Sequence, residues 1–147
     1  MPEEQGQSPI RLRVQLAAAP EKAFWALSTA AGRASFWADS AEEEDGVVHF
    51  RFSNGMSLQS KILAHQAPHQ FSLEYFGGSR VDFLLDDDGD DGTLLTVVET
   101  GVPEAWYADQ RAGWVTVLLT LKAALDFGVD LRNSNPDLNW ENGFVDV

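Results

Sequence analysis

The feature that most constrains the fold is a series of short alternating segments between residues 47 and 100, separated by turn signals. Asn54-Gly55 and Gly77-Gly78 supply residues that tolerate the positive φ of tight hairpin turns, and the acidic loop Asp86–Gly92 marks a third turn. Between these signals, apolar and polar residues alternate with the two-residue period of half-buried strands. The pattern predicts an antiparallel meander. Its predicted strands are Val47–Phe52, Met56–Ala64, Phe71–Tyr75, Val81–Leu85 and Thr93–Thr100.

Two short helices are predicted between a first strand and the meander. Ile10–Leu16 alternates strictly, which is typical of a strand with one buried face. Pro20, followed by an acidic residue, is typical of a helix start. We therefore expect one helix over residues 20–28 and a second over Ala30–Phe36. The acidic run Glu42–Asp45 then predicts a solvated edge that ends in a glycine turn.

A single long helix is predicted after the last strand. Pro103-Glu104 favours its first turn, and Gly128 supplies its stop. Apolar residues recur along it at three- and four-residue spacing, so the helix has one apolar face. A curved sheet buries its own face and that of the helix when it wraps around the helix. We predict an α+β fold with one domain over residues 1–147, including a flexible tail at 1–8 and an extended tail at 129–147.

Composition and charge exclude several classes of function. Ten basic and 23 acidic residues give a formal net charge of −13 at pH 7, which repels nucleic acids and anionic membrane surfaces. The absence of cysteine excludes disulfides, thiolate catalysis and cysteine-based zinc sites. Neither a signal-peptide pattern nor a membrane-spanning apolar stretch is found, so we expect a cytoplasmic protein. Because glycine-rich nucleotide loops and metal-ligand spacings are also missing, we expect no cofactor and no metal.

Several short motifs carry a resemblance to a known superfamily through their order along the chain. They are Ala19-Pro20-Glu21 with Phe24-Trp25, Phe36-Trp37, Gly92-Thr93, and Gly113-Trp114. The chain resembles the START-like, helix-grip superfamily (SRPBCC), and within it the branch named after activators of the heat-shock chaperone ATPase. The resemblance implies a cavity between sheet and long helix that often binds an apolar or aromatic molecule. Members include lipid carriers, plant-hormone receptors, polyketide cyclases and chaperone activators.

Alternation and helical spacing identify candidate ligand contacts around such a cavity. Glu99 follows two apolar residues on one strand face, so it is predicted to point inward. Arg111 precedes Trp114 by three residues and is predicted on the helix face turned to the sheet. The two charged groups can orient a polar ligand group, or they can pair with each other. The candidate ligand-binding residues are Trp37, Phe52, Tyr75, Phe83, Glu99, Trp106, Arg111, Trp114 and Leu118.

Three functions are compatible with this pattern. The first is binding of a hydrophobic or aromatic small molecule without firm catalytic activity, because no residue stands out as an activated nucleophile. The second is a module that binds a chaperone protein, as the resemblance implies. The third is a polyketide cyclase-like enzyme, in which Glu99 would act as an acid or base, but no second catalytic group is predicted. We expect a small-molecule or chaperone partner, and a homodimer is an open alternative.

Overall fold

The computed structural model of the protein describes residues 8–147, so the predicted flexible tail lies outside the described residues except for its last residue. One antiparallel sheet dominates this part of the chain. Its strands are β1 (Ile10–Leu16), β2 (Ser40–Glu44), β3 (Val47–Arg51), β4 (Ser57–Gln66), β5 (Gln70–Glu74), β6 (Arg80–Asp87) and β7 (Thr93–Thr100). Their spatial order is β1-β7-β6-β5-β4-β3-β2, so the first strand pairs with the last.

Three α-helices accompany the sheet, namely α1 (Pro20–Ser28), α2 (Ala30–Ala34) and α3 (Tyr107–Phe127). A 3₁₀ turn at Glu104–Trp106 leads into α3, and Gly128 ends it in the left-handed conformation. The curved sheet packs against this long helix, so the predicted helix-grip fold is confirmed. No helix within residues 8–147 has both the length and the apolar character needed to cross a membrane.

One strand was not predicted from the sequence, and several strands and the second helix begin or end one or two residues from their predicted bounds. The acidic segment predicted as a solvated edge belongs to β2, whose backbone pairs with β3 while Glu42–Glu44 remain exposed. Only Ala41 of this strand is fully buried, so the strand lacks the alternation that would have predicted it. The second helix ends at Ala34, two residues before the predicted Phe36. Pairing with a neighbouring strand, which an acidic run does not encode locally, decides the structure of β2.

The core lies between the concave face of the sheet and the helices. The inward-facing residues of the central strands are fully buried, as the alternation predicts. Each such side chain contributes roughly 1.5–3 kcal/mol of hydrophobic stabilisation. They are Phe71 and Leu73 in β5, Val81, Phe83 and Leu85 in β6, and Leu95 and Val97 in β7.

Polar contacts fix the C-terminal end of α3 to the segment after β1. The carboxylate of Asp126 accepts hydrogen bonds from the backbone N–H groups of Ala17 (2.8 Å) and Ala18 (3.1 Å). Lys122, one turn earlier, donates to the carbonyl oxygen of Gln15 and to Asp126. This end of the helix is therefore held against β1. A cavity between the sheet and the helix lies near the opposite, N-terminal end of α3.

Candidate functional site

A cavity of about 790 Å³ opens between the first half of α3, the β3–β4 hairpin and the C-terminal segment. This volume lies within the usual range of small-molecule sites. Six aromatic side chains form much of its wall, namely Trp37, Phe52, Tyr75, Phe76, Trp106 and Trp140. The polar part of the wall includes Asp39, Ser53, Asn54, Asp109, Gln110, Thr116, Arg132, Ser134, Asn139 and Glu141.

Trp37 and Tyr75 form the floor of the cavity. Nε1 of Trp37 donates a hydrogen bond of 3.2 Å to the hydroxyl of Tyr75, and the Tyr75 ring packs on Trp114 with centroids 5.1 Å apart. Burial raises the pKa of the Tyr75 hydroxyl well above its usual range; the hydrogen bond from Trp37 opposes this shift, and the charge of Glu99 adds to it. Tyr75 therefore keeps its hydrogen at neutral pH.

Glu99 lies behind this floor and is only 1% exposed. It belongs to β7, between β1 and β6, and its inward orientation is confirmed. The carboxylate accepts hydrogen bonds from Ser79 Oγ (2.5 Å) and Trp114 Nε1 (2.7 Å). Nε2 of Gln110 lies 3.1 and 3.2 Å from its two oxygens. Glu99 thus organises neighbouring side chains and is not part of the cavity wall.

Arg111 does not join this cluster, and its predicted inward orientation is wrong, because the residue is exposed. At about 100° per residue, Arg111 lies about 60° from Trp114, on the side of the helix that carries the exposed Val115. Gln110 lies about 40° from Trp114 on the other side, together with the partly buried Val117. Gln110, and not Arg111, therefore supplies the polar contact of α3 with Glu99. Its four-residue spacing to Trp114 places Gln110 on the same helix face, and this spacing could have predicted the contact.

The structure divides the remaining predicted contact residues between the cavity and the core. Those in the cavity wall are Trp37, Phe52, Tyr75 and Trp106. Those buried behind the floor are Phe83, Trp114 and Leu118. The buried group fills the middle of the space between sheet and helix, so the cavity is displaced towards the N-terminal end of α3.

The rim residue Trp106 packs closely against the turn after β5. At Gly77 in this turn, an added Cβ would lie 2.6 Å from the Trp106 ring, and the backbone φ is 71°. A side chain at this position would therefore clash with the ring and strain the turn. Glycine lets the turn and the tryptophan approach each other and sets this edge of the cavity.

The C-terminal segment supplies a wall that the sequence did not predict. Arg132 donates hydrogen bonds to the carbonyl oxygens of Ala38 (3.0 Å) and Ala34 (2.8 Å), just after and at the end of α2. The guanidinium of Arg132 also forms an ion pair with Asp130. Its hydrogen bonds to the Asp130 carboxylate hold the pKa of that carboxyl below its usual range. Trp140, in a 3₁₀ turn further along, then faces the cavity.

Acidic side chains outnumber basic ones in the cavity wall. Asp39, Asp109 and Glu141 contribute carboxylates, and Arg132 is the one basic residue among the described lining residues. Together with the net charge of −13, this distribution disfavours anionic ligands. Across residues 8–147, no group of three or more histidine, aspartate or glutamate side chains is placed to hold a metal ion.

Solved structures share this fold at low sequence identity. A protein from Staphylococcus saprophyticus is 23% identical with a TM-score of 0.75, covering 85% of this chain and 96% of its own. The Aha1 dimer from Colwellia psychrerythraea is 24% identical with a TM-score of 0.75, covering 83% and 98%. CalU16 from Micromonospora echinospora is 21% identical with a TM-score of 0.65, covering 78% and 72%. At these identities the likeness shows the fold alone.

The family assignment comes from the sequence. No curated protein matches it. The model of the family described as "Activator of Hsp90 ATPase homolog 1-like protein" matches residues 17–126, which is most of the chain. The match includes strands β2 to β7, helices α1 and α2, and all of α3 except its last residue, and it begins directly after β1. The predicted resemblance to the SRPBCC superfamily is thereby confirmed, and the protein belongs to the family of Activator of Hsp90 ATPase homolog 1-like proteins.

Proposed function

We propose that the protein binds a neutral hydrophobic or aromatic small molecule in the cavity at the N-terminal end of α3. The observation that carries this proposal is the wall of six aromatic side chains around a space of about 790 Å³. Aromatic side chains bury large areas of flat apolar ligands, and sites of this kind combine such walls with a few polar groups. Membership of the family supports the proposal, because its fold is compatible with ligand binding.

The position of Glu99 favours binding over cyclase-like catalysis. An acid or base must come within hydrogen-bond reach of the reacting atoms. Glu99 is 1% exposed, and its oxygens are bonded to Ser79, Gln110 and Trp114. A carboxylate enclosed in this way holds its neighbours in place. The alternatives of a chaperone partner and of a homodimer rest on the family description and on the dimeric neighbour, and the test below is independent of them.

A neutral fluorescent probe, N-phenylnaphthylamine, tests the proposal because its emission rises in apolar surroundings. We expect saturable binding to the wild-type protein. Trp106→Ala should weaken it at least about fivefold, since one wall of the cavity loses its aromatic surface. Trp25→Ala is the matched control, because Trp25 is 41% exposed, close to the 46% of Trp106, but lies on α1 outside the cavity.

The two tryptophan variants separate specific binding from general stickiness. If both variants bound the probe as the wild type does, or if both lost binding equally, the cavity would not be the binding site. Urea unfolding of each variant checks that the loss in Trp106→Ala arises in the folded protein. Failure of the wild type to bind the probe saturably would refute the proposal.

A further inference from the structure

We infer that the site selects ligands that carry a hydroxyl group. Tyr75 donates a hydrogen bond to the oxygen of this group, and Gln110 accepts a hydrogen bond from it. The inference rests on the proposed function and narrows its ligand class to neutral aromatic alcohols and phenols. Both residues line the cavity. The inference depends on how the two side chains are already hydrogen-bonded inside the protein.

Tyr75 presents a hydrogen-bond donor to the cavity. Its hydroxyl oxygen accepts the hydrogen of Trp37 Nε1 at 3.2 Å, and an indole nitrogen can only donate. The hydrogen of the Tyr75 hydroxyl is therefore not used in this contact. Among residues 8–147, the hydrogen bonds of the structure supply no acceptor for it. A ligand atom in the cavity can accept this hydrogen.

Gln110 presents an acceptor, because Glu99 determines which way its amide is turned. Nε2 of Gln110 lies 3.1 and 3.2 Å from the two oxygens of Glu99. Trp114 Nε1 donates to the same carboxylate at 2.7 Å, so Glu99 acts as an acceptor there. Because the Glu99 carboxylate only accepts hydrogen bonds, it binds the amide nitrogen of Gln110 and not the amide oxygen. Oε1 of Gln110 is therefore the polar atom of this side chain that does not contact Glu99. Within the described residues, no hydrogen bond reaches that oxygen.

The donor and the acceptor belong to one connected cluster. The ring of Tyr75 packs 5.1 Å from that of Trp114, and Trp114 follows Gln110 by one helical turn. A hydroxyl group both accepts and donates, so one ligand oxygen can satisfy Tyr75 and Gln110 together. A ketone or an ether can satisfy only Tyr75. A carboxylate is disfavoured by the acidic wall. Glu99 is thus a positioning residue that acts through Gln110.

A matched ligand series tests the hydroxyl preference. Naphthol and methoxynaphthalene, substituted at the same ring position, differ in whether the oxygen can donate. We expect naphthol to bind the wild type about tenfold more tightly, the size of one well-formed hydrogen bond. Tyr75→Phe should lower the affinity for naphthol severalfold. The control is Tyr107→Phe, because the hydroxyl of Tyr107 donates to the carbonyl of Pro9 and not into the cavity.

Glu99→Gln tests the positioning role by reversing the amide of Gln110. A glutamine at this position can accept from Trp114 through its oxygen and donate through its nitrogen, so the oxygen of Gln110 turns towards it. The nitrogen of Gln110 then faces the cavity as a donor. We expect the preference to move from naphthol to acetylnaphthalene, whose carbonyl only accepts. A purely structural role of Glu99 would weaken both ligands to the same extent.

The outcomes distinguish this inference from the proposed function. If N-phenylnaphthylamine binds but naphthol and methoxynaphthalene bind equally well, the hydroxyl preference is overturned and the proposed function stands. If Tyr75→Phe leaves the affinity for naphthol unchanged, the assignment to Tyr75 is wrong. If neither the probe nor the series binds the wild type, the proposed function fails and the inference fails with it. Should Glu99→Gln not fold, the ligand series on the wild type still decides whether the hydroxyl preference stands, and Tyr75→Phe still decides its assignment to Tyr75.

Discussion

The middle and the N-terminal end of the space between sheet and α3 differ sharply. In the middle, the rings of Phe83 and Trp114 lie 5.6 Å apart, and Leu118 closes the layer with 4% exposure. At the N-terminal end, Trp106 is 46% exposed beside an open cavity. The two regions share the helix and the sheet. The size of the side chains that project into the space between the helix and the sheet decides where a ligand can enter.

The walls of the two regions also have different origins. The middle is enclosed by paired strands and a regular helix, whose backbone hydrogen bonds are internal to these elements. The cavity also has the first half of α3 as a wall, but its other walls are the β3–β4 hairpin, the turn after β5 and the C-terminal segment. Loops and segments with few buried contacts open at lower free energy than core elements. We therefore expect the cavity wall to adjust to a ligand more readily than the middle does.

The largest expected effect separates the two regions by stability. Trp114→Ala should lower the free energy of unfolding by about 3–5 kcal/mol, because it creates a cavity in the core and removes a hydrogen bond to Glu99. Trp106→Ala should lower it by less than about 1 kcal/mol, since much of that side chain is already in solvent. Urea unfolding followed by far-ultraviolet circular dichroism measures both. Equal losses would show that the middle is not more tightly packed than the rim.

A smaller effect is expected when the C-terminal wall is detached. Arg132→Ala removes two hydrogen bonds to backbone carbonyls near the end of α2, so the free energy of unfolding should fall by about 1–2 kcal/mol. Affinity for N-phenylnaphthylamine should fall as well, because one wall loses its anchor. Arg111→Ala, at an exposed position on α3, serves as the control. A probe affinity that is unchanged in Arg132→Ala would show that this wall does not contribute to binding.

The smallest effect concerns the pH dependence of the same anchor. Hydrogen bonds from Arg132 lower the pKa of Asp130, so this pair stabilises the fold above the ordinary carboxyl pKa and loses its effect as acid protonates it, below about pH 4. Asp130→Asn should lower the free energy of unfolding by less than about 1 kcal/mol at pH 7, because the Asp130 side chain is 46% exposed and its ion pair is screened by solvent. The difference from wild type should shrink as the pH falls below the ordinary carboxyl pKa and vanish once the pH has passed below the lowered pKa of Asp130. A difference that persisted in acid would assign the effect to something other than this ion pair.

The sequence was most informative where burial follows a regular period. Alternation correctly predicted the inward face of the central strands, including the inward orientation of Glu99, because pleating sends successive side chains to opposite sides. Helical spacing correctly placed Trp114 and Leu118 on the face of α3 that is turned to the sheet, but both belong to the core and not to the predicted ligand contacts. It misplaced Arg111, since a three-residue spacing fits either edge of a helical face and only packing decides which edge is covered.

The position of the cavity was harder to predict from the sequence. Phe83 and Trp37 both face inward, yet only packing determines that one is core and the other is floor. Arg132 joins the wall through carbonyl oxygens almost a hundred residues away along the chain, and no local pattern encodes a contact of that range. The amide orientation of Gln110 likewise depends on a carboxylate from another element.

The acidic strand β2 has a consequence for how copies of the chain meet. β2 lies at one border of the sheet, with Glu42–Glu44 exposed. An unpaired strand border is a template for adding a strand from another molecule, and charged residues there prevent it. Two copies joined along this border would bring their glutamates into a single row of like charges. Self-association of this protein should therefore avoid β2, and the same glutamates keep the exposed border from starting aggregation.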